Sequence, residues 1–116
     1  MELQEAIEHA LRGNAILFVG SGFSLGAKKP DGSYIKNVPE LISQLCQAVY
    51  GENQNVSLPD VASDYCNEFG EQKTLSYIKQ EFTVSDTTDA QKGICALNWR
   101  RIYTTNYDNV VEQSCL

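Results

Sequence analysis

The stretch AILFVGSGFSLG, residues 15–26, limits what this chain can fold into more than any other part of it. Five apolar residues, Ala15 to Val19, run without alternation into a loop holding Gly20, Gly22 and Gly26. A continuous apolar run rich in branched and aromatic side chains is the pattern of a strand buried on both faces, as in parallel sheets covered by helices. Gly20 and Gly22 can adopt backbone angles closed to other residues, and they carry no side chain to block a ligand. Successive backbone N–H groups in such a loop can cradle an anion. Ser21 and Ser24 add hydroxyl donors, and Lys28 and Lys29 bring positive charge a few residues on. A diphosphate asks for groups of this kind.

The loop departs from two common phosphate fingerprints. Its glycines are spaced G-x-G-x-x-x-G rather than G-x-G-x-x-G, and Pro30-Asp31-Gly32 opposes an immediate helix. The P-loop requires Gly-Lys-Ser/Thr, whereas Ala27 follows Gly26. A tight strand-exit turn with no ligand is the competing reading.

Apolar spacing predicts a helix over Glu2 to Arg12, carrying Leu3, Ile7 and Leu11. Pro39 opens a second, with Leu41, Ile42, Leu45 and Val49 on one face and Gly51 ending it. Ser57 and Asp60 resemble a capping box for a third, which carries Val61, Ala62, Tyr65, Cys66 and Phe69. A fourth fits Glu71 to Phe82, with Leu75, Ile78 and Phe82 on one side. A fifth, within residues 85–97, is weakened by Thr87, Thr88 and Gly93. A second strand is expected at Arg101 to Thr105, then a last helix with Val110, Val111 and Ser114 spaced for burial.

This order predicts an α/β fold with a parallel sheet. Two strands fall short of the several that a stable central sheet requires, so residues 1–116 read as the N-terminal part of a larger domain.

The second strand leads into Thr104-Thr105-Asn106-Tyr107-Asp108. In an open α/β sheet, ligands bind at the carboxyl ends of the strands, where both this segment and the glycine loop belong. Asn106 and Asp108 can hydrogen-bond ribose hydroxyls or a carboxamide. Asp108 can equally cap the last helix, and Asn106 can be a cap or a turn residue.

A net charge of −6 argues against general nucleic-acid binding, which depends on neutralising phosphates, but leaves a single nucleotide open. No segment approaches the ~18–20 apolar residues of a membrane span. The start, MELQEAIEHA, is acidic and amphipathic, unlike a signal peptide. Cys46, Cys66, Cys95 and Cys115 form no C-x-x-C pair, so no zinc ribbon is expected. They read as reduced thiols buried as small apolar residues in a cytoplasmic protein.

GSGFS and TTNYD, in this order and separation, resemble the sirtuin-like (silent information regulator-like) domain, and within it the prokaryotic branch of antiphage-defence NAD hydrolases. That branch carries G-A-G-[FL]-S; here Ser21 replaces the usual Ala. DYCNEFG, residues 64–70, resembles the branch's helical segment. The resemblance implies a Rossmann-like parallel sheet with helices, holding NAD as substrate across the sheet edge. Gly20, Ser21, Gly22, Phe23 and Ser24 would bind the nucleotide, with Thr105, Asn106 and Asp108 from the second motif. Asn106 would be the catalytic asparagine beside the nicotinamide ribose, and Asp108 would lie near the nicotinamide end. Water would cleave the nicotinamide–ribose bond through an oxocarbenium-like transition state, which preorganised polar groups stabilise.

The family also uses a histidine well after TTNYD, whereas this chain has one histidine, His9, expected on a solvated helix face. General acid–base help of that kind typically contributes ~10²–10⁴-fold. The four-cysteine zinc module of the protein-deacylating sirtuins is absent from the sequence, which disfavours lysine deacylation and implies no zinc. Three readings follow: an NAD hydrolase once the domain is complete, a non-catalytic module sensing NAD or ADP-ribose, and a helical interaction domain. The resemblance also allows a C-terminal effector or sensor domain and oligomerisation.

Overall fold

The computed structural model describes residues 1–116 and is helix-rich, with a small parallel sheet. The elements run α1 (Leu3–Leu11), β1 (Ile16–Val19), a 3-10 turn (Ser21–Ser24), α2 (Val38–Tyr50), α3 (Leu58–Phe69), α4 (Glu71–Phe82), α5 (Asp89–Cys95), β2 (Arg101–Thr104) and α6 (Val110–Ser114). They fall into two compact units, Met1–Ile35 with Thr83–Leu116, and Lys36–Phe82. No helix is long and apolar enough to cross a membrane.

In the first unit β1 and β2 pair in parallel, Ile16 opposite Arg101 and Val19 opposite Thr104. A parallel pair needs a long crossover, and α2 to α5 lie in it. The residues predicted at the strand ends stay in the ladder. Arg100 N donates to Ala15 O at 2.8 Å, and Thr105 N donates to Val19 O at 3.4 Å.

The expectation that β1 is buried on both faces does not hold. Ile16 is 53% and Phe18 69% exposed, while Val19 is buried. The pleat sends alternate side chains to opposite faces, and only one face is covered within this chain. On the open face Phe18 meets the half-exposed Tyr103, ring centroids 6.2 Å apart. The predicted apolar stripe of α1 is likewise uncovered: Leu3, Ile7 and Leu11 are exposed, and the residue α1 buries is Ala10.

The second unit is a helical cluster whose ends are set by local chemistry. Asn37 Oδ1 accepts from Glu40 N at 2.9 Å, with Pro39 in the first turn of α2. Gly51 ends that helix in the left-handed region at φ +75°. Ser57 Oγ accepts from Asp60 N at 3.3 Å to start α3. Leu41, Leu45, Cys46, Val61 and Tyr65 form the core, with Phe69 and Tyr77 stacked about Tyr65 at 4.7 and 5.3 Å between ring centroids. Tyr50 donates its hydroxyl to Asp64, and that bond pushes the phenol up to about 12.

α4 turns a different face inward from the predicted one. Leu75 and Ile78 are exposed; Tyr77 and Phe82 join the core, and Glu81 is buried. Lys36 Nζ pairs with Glu81 Oε2 at 3.1 Å, and Gln44 Nε2 donates to its Oε1 at 3.3 Å. A pattern of apolar residues cannot foresee a buried carboxylate whose cation and donor come from outside its own helix.

The four cysteines are free thiols. Cys46 and Cys95 are buried and Cys66 half-buried, but Cys115 is exposed at the end of α6, against the expectation of four buried thiols. Burial, reinforced by Cys115 beside it, pushes the Cys95 thiol up to about 11.

Candidate functional site

Because the register sets Val19 beside Thr104, the segments leaving β1 and β2 emerge at the same sheet edge. The first closes at once into the 3-10 turn. Phe23 N donates to Gly20 O at 3.1 Å, Leu25 N to Gly22 O at 3.4 Å and Ala27 N to Ser24 O at 3.2 Å.

The reason for glycine differs along this loop. Gly20 has extended backbone (φ −116°, ψ −165°), and Gly22 does not have positive φ. Neither uses the backbone angles that glycine alone adopts freely. A Cβ built at either would meet no atom within 4 Å. Gly26 is the conformational glycine: its φ is +91°, and a Cβ there would lie 3.0 Å from Thr88 Cγ2. Gly26→Ala should cost about 1–2 kcal/mol of stability for the left-handed backbone. Gly20→Ala and Gly22→Ala should cost a fraction of that, a contrast that urea unfolding of the three variants checks.

Asn106 joins the two motifs. Its Nδ2 donates to Gly20 O at 2.8 Å and to Ser24 Oγ at 3.2 Å, and its backbone N donates to Thr104 Oγ1 at 3.0 Å. Rotating the carboxamide by half a turn would set Oδ1 against the Gly20 carbonyl, acceptor against acceptor, so the network fixes the orientation. Both amide hydrogens are used, and Oδ1 is the remaining hydrogen-bonding atom. Ser24, itself buried, passes its own hydrogen to Asp108 Oδ2 at 2.6 Å. Asp108 Oδ1 accepts from Val110 N at 3.0 Å. Asp108 thus holds the start of α6 with one oxygen and the glycine loop with the other.

Around this junction Ser21, Gly22 and Thr105 are exposed and Phe23 is half-buried. Lys28 places its ammonium 5.3 Å from the Tyr34 ring centroid, with its backbone bonded to Ser85 and Asp86. Lys29 is buried and His9 is exposed on α1.

Two residues escaped the reading of the sequence. Gln91, 3% exposed, donates from Nε2 to Phe23 O at 2.8 Å and to Leu25 O at 3.1 Å. Its Oε1 accepts from Thr88 N at 2.8 Å, and its backbone N donates to Thr88 Oγ1 at 3.1 Å, a complete capping box. The Thr88-x-x-Gln91 spacing was the available signal. Asn109 ties the start of α6 to Val84, whose N donates to Asn109 Oδ1 at 2.7 Å and whose O accepts from Nδ2 at 3.2 Å.

No protein-family model matches the chain. It is similar to Defense-associated sirtuin 2 of Bacillus subtilis, 27% identical over an alignment that covers 97% of this chain and 11% of that protein. The chain therefore spans about a tenth of the length of the curated relative it matches.

Proposed function

We propose that this chain is the N-terminal part of a sirtuin-like, Rossmann-type domain that binds NAD, and that the complete domain hydrolyses the nicotinamide–ribose bond in antiphage defence. The carrying observation is the junction at the sheet edge, where the Asn106 carboxamide bonds to Gly20 and Ser24 of the glycine loop. The loop fits the diphosphate by what it lacks: Gly20 and Gly22 are open on the side where a Cβ would project. Asn106 Oδ1 supplies an acceptor for a ribose hydroxyl or the attacking water. Ser21, Phe23, Ser24, Thr105 and Asp108 complete the nucleotide-binding set. The uncovered faces of β1 and α1 fit a larger domain, whose further layers would cover Phe18, Tyr103 and Leu3. Four free thiols fit a reducing cytoplasm.

The test is calorimetric titration of NAD and of ADP-ribose into the wild-type and Gly22→Val proteins. A side chain with no neighbour in the free protein leaves the melting temperature close to that of wild type. Against a bound diphosphate it costs roughly 1–3 kcal/mol of overpacking, or about five- to 150-fold in affinity. Equal affinity in the two proteins, or no uptake of either ligand by wild type, would remove the loop from nucleotide binding.

A second reading is a non-catalytic module that binds NAD or ADP-ribose and signals to a partner domain. The observation favouring it is that Asn106, Ser24 and Asp108 are bonded to one another, which suits a rigid binding edge. ADP-ribose binding without nicotinamide release from NAD would select it.

A further inference from the structure

We propose that Gln91 is a positioning residue for the nucleotide site, its carboxamide setting the direction of the glycine loop's peptide groups; this rests on the NAD-binding reading above. Gln91 is held at both ends. Its Oε1 is pinned by Thr88 N at the start of α5, and its two amide hydrogens are divided between Phe23 O and Leu25 O. The side chain is buried, so water does not compete for these bonds. The bonds also join segments 68 and 66 residues apart in sequence, so nothing local replaces them.

The consequence follows from peptide planarity. In a trans peptide the C=O and the next N–H point in opposite directions within one plane. Turning the Phe23 carbonyl toward Gln91 turns the Ser24 N–H away from it, and turning the Leu25 carbonyl does the same for the Gly26 N–H. The same clamp places Ser24 Oγ, on which Asn106 and Asp108 converge. Gln91 touches no ligand in this scheme; it acts through the loop.

Gln91→Glu and Gln91→Met separate this role from mere packing. Both keep the length of the side chain. The glutamate keeps an acceptor for Thr88 N but sets an acceptor against two carbonyls, and the methionine removes every polar contact. Amide hydrogen exchange is read at Phe23, Leu25 and Ala27, whose N–H groups close the loop. NAD affinity is read by calorimetry from pH 8 down through the range where a buried carboxyl protonates.

At pH 8 both variants should exchange faster at these three amides and bind NAD on the order of tenfold more weakly, the scale of one or two lost neutral hydrogen bonds. Q91E should regain part of its affinity as the pH falls, because a protonated carboxyl restores one donor; Q91M should not. Unchanged loop exchange in both variants would overturn the proposal. So would equal affinity across all three proteins, or a loss in Q91E that ignores pH. If wild type takes up no NAD, the functional reading falls, while the exchange data still decide whether Gln91 holds the loop.

Discussion

Replacing Asn106 with alanine should lower nicotinamide release from NAD by on the order of 10²–10³-fold in the complete domain, the usual loss when a preorganised polar group at a developing charge is removed. The expectation comes from how the carboxamide is held. Its amide hydrogens are bonded to Gly20 O and Ser24 Oγ, so Oδ1 has one orientation before any ligand arrives. An acceptor fixed in this way needs no reorganisation when positive charge develops on the ribose. The structural cost should be small, because Asn106 is only half-buried, Gly20 is exposed to water, and the buried Ser24 keeps its bond to Asp108. About 1 kcal/mol for the lost bonds corresponds to a melting shift of a few degrees. ADP-ribose affinity should fall far less than turnover, since the loop and Asp108 remain. Nicotinamide release at the wild-type rate would take Asn106 out of catalysis, whatever happened to binding.

What could be read from the sequence was what local chemistry decides. Pro39 and Gly51 bound α2, and Ser57 with Asp60 starts α3, through contacts within one turn of each helix end. The parallel pairing of β1 and β2 followed from an α/β order with a long crossover. The convergence of GSGFS with TTNYD at one edge followed from that pairing. The misread features depend on what lies across the fold. Gln91 looked like an ordinary member of a weak helix, because its partners at Phe23 and Leu25 are remote in sequence. Nothing local marks Glu81 for burial, since its cation and its amide donor come from outside its own helix. Ile16 and Phe18 promised burial on both faces, but apolar character records only what a strand can be packed against. The covering layer is a separate fact, and this chain leaves that face open. Among the glycines, sequence cannot separate Gly26, required by its backbone, from Gly22, which is open to whatever approaches the loop.

The largest stability effect should come from the second unit, at Leu45. This side chain is 4% exposed and lies in the cluster with Leu41, Cys46, Val61 and Tyr65. Leu45→Ala removes three carbons and leaves a cavity that the helices close only in part, at a cost of about 2–5 kcal/mol. Whole domains are stable by only about 5–15 kcal/mol, and small ones bury a smaller share of their surface. A core built from three short helices has little reserve against such a loss. The control lies on the same helical cluster: Leu75, 59% exposed on α4, should tolerate alanine within about 0.5 kcal/mol. Urea unfolding followed by far-ultraviolet circular dichroism measures both. A large cost at Leu45 with almost none at Leu75 is the expected result, and it also tests which face of α4 is turned inward. If Leu75→Ala were as damaging as Leu45→Ala, α4 would be packed by Leu75 and Ile78 after all, as apolar periodicity alone suggests. Glu81 would then have to lie outside the core, and its pairing with Lys36 and Gln44 would be lost.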